Sequence, residues 1–123
     1  MNQRALFGCR IVIVEDDYFQ AEDCRQMLEQ AGAIIVAVSS KVPELSELTA
    51  QGSIDAALID INLGPGLSFD FARGLRDQAI PFVFLTGYDA EMLPDDLSAS
   101  PCISKPADCV RVLGALEKLV VRR

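Results

Sequence analysis

The sequence predicts an α/β domain in which a doubly wound parallel β-sheet carries helices on both faces. Three observations lead there. Five short apolar runs recur along the 123 residues, each too short for a helix. Stretches with helical spacing of apolar residues separate them, and every run is followed by polar residues. Alternation of this kind implies right-handed crossovers and a sheet covered on both sides. A chain of this length, 50% hydrophobic and 24% charged, makes one domain (residues 1–123) with no room for a second. It buries roughly two thirds of the surface its unfolded chain exposes, so its core needs neither disulfides nor a structural metal.

The first strand is Ile11 to Val14, a β-branched run apolar on both faces, as a strand inside a parallel sheet must be. Ile34 to Val38, Ala56 to Ile59 and Phe82 to Leu85 repeat that character, and Cys102 to Ser104 is a weaker fifth. Ala21, Cys24, Leu28 and Ala31 fall at spacings of three and four and predict the first helix, which Gly32 stops. Pro43 is placed to open a second helix running to about Ala50. Phe69, Ala72 and Leu75 mark a third, and Cys109, Leu113, Leu116 and Val120 share one face of the last. The segment Asp89 to Leu97 is short, poor in apolar residues and interrupted by Pro94, which predicts a single turn or a loop. Phe69, Phe71, Phe82 and Phe84 read as core.

Eleven basic against 18 acidic residues give a net charge of -7, the wrong sign for a phosphate backbone, and no basic stripe exists. Nucleic acid is therefore not an expected partner. Cys9, Cys24, Cys102 and Cys109 lack CxxC spacing, and the chain has no histidine to complete a zinc site, so buried thiols in a reducing compartment are expected. The N-terminus lacks the apolar core of a signal peptide and no run approaches the roughly 18 residues of a membrane span. These readings place the protein in the cytoplasm, away from membranes.

In a doubly wound sheet the ligand crevice lies beyond the carboxyl ends of the strands. Glu15, Asp16 and Asp17 follow the first strand, Asp60 the third, Thr86 the fourth and Lys105 the fifth, all at that one edge. Carboxylates meeting there repel unless a cation neutralises them. Oxygen-only ligands point to Mg²⁺, with Asp16 and Asp60 direct, Glu15 through water and Asn62 through its backbone carbonyl. Asp17 is placed instead to cap the first helix. A carboxylate beside Mg²⁺, an ammonium and a hydroxyl forms a phosphoryl acceptor: Asp60 attacks in line, Lys105 neutralises the equatorial oxygens and Thr86 bonds one of them.

Ile-Val-Ile-Val-Glu-Asp-Asp (11–17), Leu-Ile-Asp-Ile-Asn-Leu (58–63), Phe-Leu-Thr-Gly-Tyr (84–88) and Ser-Lys-Pro (104–106) resemble the receiver domain of two-component response regulators over nearly the whole chain. The resemblance implies a flavodoxin-like sheet of strand order 2-1-3-4-5. It also implies a phosphoryl group received from a sensor histidine kinase or a histidine phosphotransfer protein, the receiver itself catalysing its phosphorylation and dephosphorylation. By position, Glu15 and Asp16 match the family's acidic pair, Asp60 its acceptor, Thr86 its switch hydroxyl and Lys105 its lysine.

The family usually carries an aromatic three residues before the lysine; here that residue is Cys102, so the usual switch cannot operate unchanged, and Tyr88 is the candidate substitute. The loop after the acceptor has Gly64, Pro65 and Gly66, then Ser68, in place of the family's proline and later glycine. Pro81 to Tyr88 resembles a receiver subset with Phe-x-Phe-Ala-Thr-Gly-Tyr in strand four, whose fourth helix is reduced and whose members are often stand-alone receivers or stress-signalling proteins. The expected output is ordering of the connection between strands four and five on phosphorylation, to relay or drain phosphoryl groups or to bind a downstream protein. No output domain follows in this reading. The alternatives are a receiver-like docking module that is not phosphorylated, which the intact acceptor set opposes, and a Mg²⁺ phosphohydrolase, for which Asn62 stands where a second acid is wanted.

Overall fold

The computed structural model describes residues 5–63, 65–87, 93–105 and 108–121. Strands β1 (Arg10–Val14), β2 (Ile34–Ser39), β3 (Ala56–Asp60), β4 (Phe82–Thr86) and β5 (Cys102–Ser104) form one sheet in the order β2-β1-β3-β4-β5, with every neighbouring pair parallel. Around it lie helices α1 (Tyr18–Gln30), α2 (Leu45–Thr49), α3 (Pro65–Asp77) and α4 (Cys109–Val121). This is the flavodoxin-like order the resemblance implies. The chain runs outward from β1 to the edge strand β2, then returns past β1 to β3, so the order reverses at β1 and opens a crevice at the carboxyl ends of β1 and β3.

Period-two alternation sorts the strand residues into two cores. Val12, Val14, Ala57, Ile59, Phe82 and Phe84 join Phe69, Ala72 and Leu75 of α3 on one face, where α2 adds Leu45 and Leu48. Ile11, Ile13, Ala56, Leu58, Val83 and Leu85 meet Ala21, Cys24 and Leu28 of α1 and Val112 and Leu116 of α4 on the other. Coverage on both faces is why β3 and β4 are buried at every position, whereas the edge strand β2 is not buried at any. The β1/β2 register skips Val36, and both Val36 and Ala37 then pack on the α3 face, as a bulge residue allows.

Helix ends follow local chemistry. Asp17 caps α1, its carboxylate accepting the Gln20 N–H at 3.0 Å. Gly32, at φ +92°, closes α1: its N–H donates to the Glu29 carbonyl and that of Ala33 to the Leu28 carbonyl. One expectation changes in extent. The second helix begins at Leu45 rather than Pro43, because the backbone at Glu44 is still extended and the first helical hydrogen bonds run back to its carbonyl. Between β4 and β5 the described residues form a single 3₁₀ turn, Asp95–Leu97, behind Pro94, with Leu93 and Leu97 buried against α3. Residues 88–92 of that connection, including Tyr88 and Asp89, lie outside the described residues. Among the described residues no helix is long and apolar enough to cross a membrane.

Candidate phosphoryl-acceptor site

The ends of three strands deliver the charged groups. Counting by two along each strand, Glu15 follows Ile11 and Ile13, Asp60 follows Ala56 and Leu58, and Lys105 follows Ile103, so all three emerge on the α1/α4 side of the edge. There the Lys105 ammonium donates to Asp60 Oδ2 at 2.8 Å and to Glu15 Oε2 at 3.1 Å, and lies 2.9 Å from Glu15 Oε1. Both acids are buried, Glu15 at 2% and Asp60 at 0% exposure. Lys105 is held in register by its own N–H, which donates to the Thr86 carbonyl at 2.8 Å as a continuation of the β4/β5 ladder. Thr86 itself, the last residue of β4, is buried beside it.

The loop after β3 is tied to Asp60 from two directions. The Asn62 N–H donates to Asp60 Oδ1 at 2.8 Å, and Ser68 Oγ, fully buried in the first turn of α3, donates to the Asp60 carbonyl at 3.1 Å. Asp60 is thereby gripped through its backbone and both carboxylate oxygens. On the β1 side, the Asp17 N–H donates to Glu15 Oε2 at 3.1 Å, so one short segment both caps α1 and orients Glu15.

These contacts set opposite electrostatics on the two acids. Burial and a hydrogen bond shared with Asp60 push Glu15 up to about 7, against the pull of Lys105 and the Asp17 N–H. Burial works against an ionised Asp60 too, but the hydrogen bonds from Glu15, Lys105 and the Asn62 N–H outweigh it and hold Asp60 below the usual range. Lys105 is held above an ordinary lysine: burial opposes its charge, and the two carboxylates more than compensate. The two carboxyls are thus pushed in opposite directions around one ammonium, Glu15 towards its neutral form and Asp60 towards its ionised form.

The site has room for one more positive charge. Carboxylate oxygens of Glu15, Asp16 and Asp60 lie within 4.8 Å of one another, with Asp16 exposed at the mouth. Glu15 Oε1 is buried without a hydrogen-bond partner, because the nearby ammonium is off a hydrogen-bonding direction. An all-oxygen set with one orphaned acceptor suits a hard divalent cation such as Mg²⁺.

The structure thus places Glu15, Asp16, Asp60, Asn62, Thr86 and Lys105 at one end of the sheet. Cys102 sits apart, half-buried opposite Phe84 against the α3-side core, and burial pushes its thiol up. Tyr88 lies outside the described residues. Ser68 was not anticipated as a support: eight residues beyond the acceptor and across a loop, a serine carries no local signal that its hydroxyl turns back to a strand end. The expectation of buried thiols holds fully only for Cys24, since Cys9, Cys102 and Cys109 are half-buried, and no disulfide joins any of the four.

Comparison with known proteins agrees with this geometry. The family model described as the response regulator receiver domain matches residues 11–117. The sensor protein TorS of Escherichia coli K12 is 32% identical over 92 residues, covering 75% of this chain and 10% of TorS. The chain thus spans about a tenth of that relative's length. Among solved structures, SdrG from Sphingomonas melonis Fr1 is 32% identical at a TM-score of 0.74, covering 94% of this chain and 98% of that one. A BeF3-activated conformation of SdrG from Pseudomonas melonis Fr1 is 30% identical, also at 0.74, covering 98% and 99%. The PhyR receiver domain of Erythrobacter litoralis, 21% identical at 0.78 over 95% and 93%, shares the fold.

Proposed function

Because the chain belongs to the response regulator receiver domain family of two-component signalling, we propose that it accepts a phosphoryl group on Asp60 from a sensor histidine kinase or a histidine phosphotransfer protein. One observation carries this reading: a buried, hydrogen-bonded Asp60 shares a single lysine with Glu15 at the topological switch point, beside an acidic cluster suited to Mg²⁺. The Asp60 carboxylate attacks phosphorus in line as the bond to the donor nitrogen breaks, leaving an acyl phosphate and a histidine that takes up a proton. Lys105 neutralises charge on the transferring group, and the Thr86 hydroxyl bonds one of its oxygens. Asp16, Asp60 and the Asn62 carbonyl would hold Mg²⁺ directly, and Glu15 would reach it through water. Mg²⁺ supplies the charge that lets the acidic pair and the phosphoryl oxygens coexist. The same groups serve water attack on the acyl phosphate, so the receiver catalyses both its phosphorylation and its dephosphorylation.

We read residues 1–123 as one receiver unit acting in the cytoplasm. Its output runs through the connection between β4 and β5, with Tyr88 the switch residue in place of the missing aromatic and Cys102 the small core residue that makes the substitution necessary. Similarity to SdrG, known in a BeF3-activated conformation, supports a receiver that responds at its acceptor.

Incubation with Mg²⁺ and acetyl phosphate, followed by intact mass, tests the acceptor chemistry. One phosphoryl group is expected on the native protein and none on Asp60→Asn or without Mg²⁺. A folded protein that stays unmodified with acetyl phosphate and with histidine-phosphorylated donors would return the reading to a docking module.

A further inference from the structure

Outside the acceptor site, two thiols meet. Cys24, in the middle of α1, and Cys109, the first residue of α4, come from positions 85 residues apart and lie with their sulfurs 3.7 Å from each other. Cys24 is 1% exposed and accepts from Gln20 Nε2 at 3.5 Å, whereas Cys109 is half-buried. A cleft of about 260 Å³ lined by Asp23, Gln26, Met27 and Gln30 of α1 opens directly onto Cys109. The remaining cysteines stand elsewhere: Cys9 donates to the Ala5 carbonyl and Cys102 packs in the opposite core.

We propose that Cys24 and Cys109 form a redox pair, oxidised by hydrogen peroxide to a disulfide that ties α4 to α1. Peroxide reaches Cys109 through the cleft. The Cys109 sulfur attacks one peroxide oxygen, the O–O bond breaks, and a sulfenic acid and one water result. The Cys24 sulfur then displaces the sulfenic hydroxyl, its proton leaving in a second water. Together two thiols and one hydrogen peroxide yield one disulfide and two waters. The order follows from access and from the Cys24 thiol, which burial pushes up to about 12, so that it resolves rather than initiates. A thiol reductant reverses the bond by exchange, as suits a transient bridge in a reducing compartment.

The bridge is placed to matter. Cys109 lies four residues beyond Lys105, and Cys24 sits on the helix that starts immediately after the acidic pair, so the bond joins the two segments that bring those groups to Asp60. This inference does not depend on phosphoryl transfer.

The test uses reduced, native protein exposed to hydrogen peroxide, alkylated with N-ethylmaleimide and read by intact mass and non-reducing peptide mapping. The expected product has lost two hydrogens, takes two alkyl groups instead of four, links the Cys24 and Cys109 peptides, and returns to four after dithiothreitol. With Cys24→Ser, dimedone captures a sulfenic acid on Cys109; with Cys109→Ser, neither bridge nor adduct forms at Cys24. Four alkylations after peroxide, or a bridge through Cys9, Cys102 or a second chain, would overturn the proposal, and the native protein alone suffices for that result.

Discussion

Glu15 and Asp60 are buried acids sharing one ammonium, and their titrations diverge because Asp60 holds the better hydrogen bonds. For Glu15 the shift lies upward, from 4.5 to about 7, so its contribution to stability is complete below pH 4.5 and disappears as pH rises through about 7. Asp60 is shifted downward, so its contribution is present above 3.8 and disappears as pH falls through its depressed folded value. Between these limits only the Glu15 effect changes. Urea unfolding of the metal-free protein is expected to show stability falling by about 3 kcal/mol from about pH 4.5 to above pH 7, at about 1.4 kcal/mol per pKa unit. Glu15→Gln should flatten that slope, and an unchanged slope in the variant would show that the titration belongs elsewhere.

At the scale of elements, α1 and α3 end alike with unlike residues. Both terminate with crossed hydrogen bonds that return to the last turn, Ala33 to Leu28 and Ile80 to Leu75. The left-handed position is Gly32 in α1 but Ala79 in α3, at φ 59°. A side chain at Gly32 would also strike Phe7, whose Cδ2 would lie 2.6 Å from an added Cβ. Ala79 is exposed and strained only by its own Cβ. Ala79→Gly is therefore expected to stabilise the protein by about 1 kcal/mol in denaturant melts, with phosphorylation unaffected. The two ends were unequally legible: a glycine after an apolar period announces a helix stop, whereas an alanine made to perform the same turn by its surroundings does not.

Across the whole molecule, Asp60 lies at one end of a sheet whose β4–β5 connection contains, among the described residues, a single 3₁₀ turn. That turn is held from outside by Asp96, which takes two hydrogen bonds from Arg73 at 2.8 and 3.1 Å and one from Arg76 at 2.9 Å, and from inside by Leu93 and Leu97. The anchor helix is α3, which also supplies Ser68 to the Asp60 backbone, so acceptor and turn share one rigid support. Phosphorylation of Asp60 is expected to slow amide exchange across residues 93–104, and Asp96→Asn to speed it in both states. Exchange in that stretch unchanged by phosphorylation would place the output elsewhere.

Sequence by itself determined the strands, the long helices and the one edge at which Glu15, Asp16, Asp60, Thr86 and Lys105 gather. Each of these is written in contiguous residues: apolar runs, helical periods and the residue that follows a strand. The tertiary structure decided what depends on partners far along the chain. It turned Ser68 back onto Asp60, bulged Val36 out of the β1 register, set Asp96 between two arginines and brought Cys24 to Cys109. A local pattern records which face a residue must bury; it carries no record of which residue will meet it there, because that is settled only when strands and helices from opposite ends of the chain pack together.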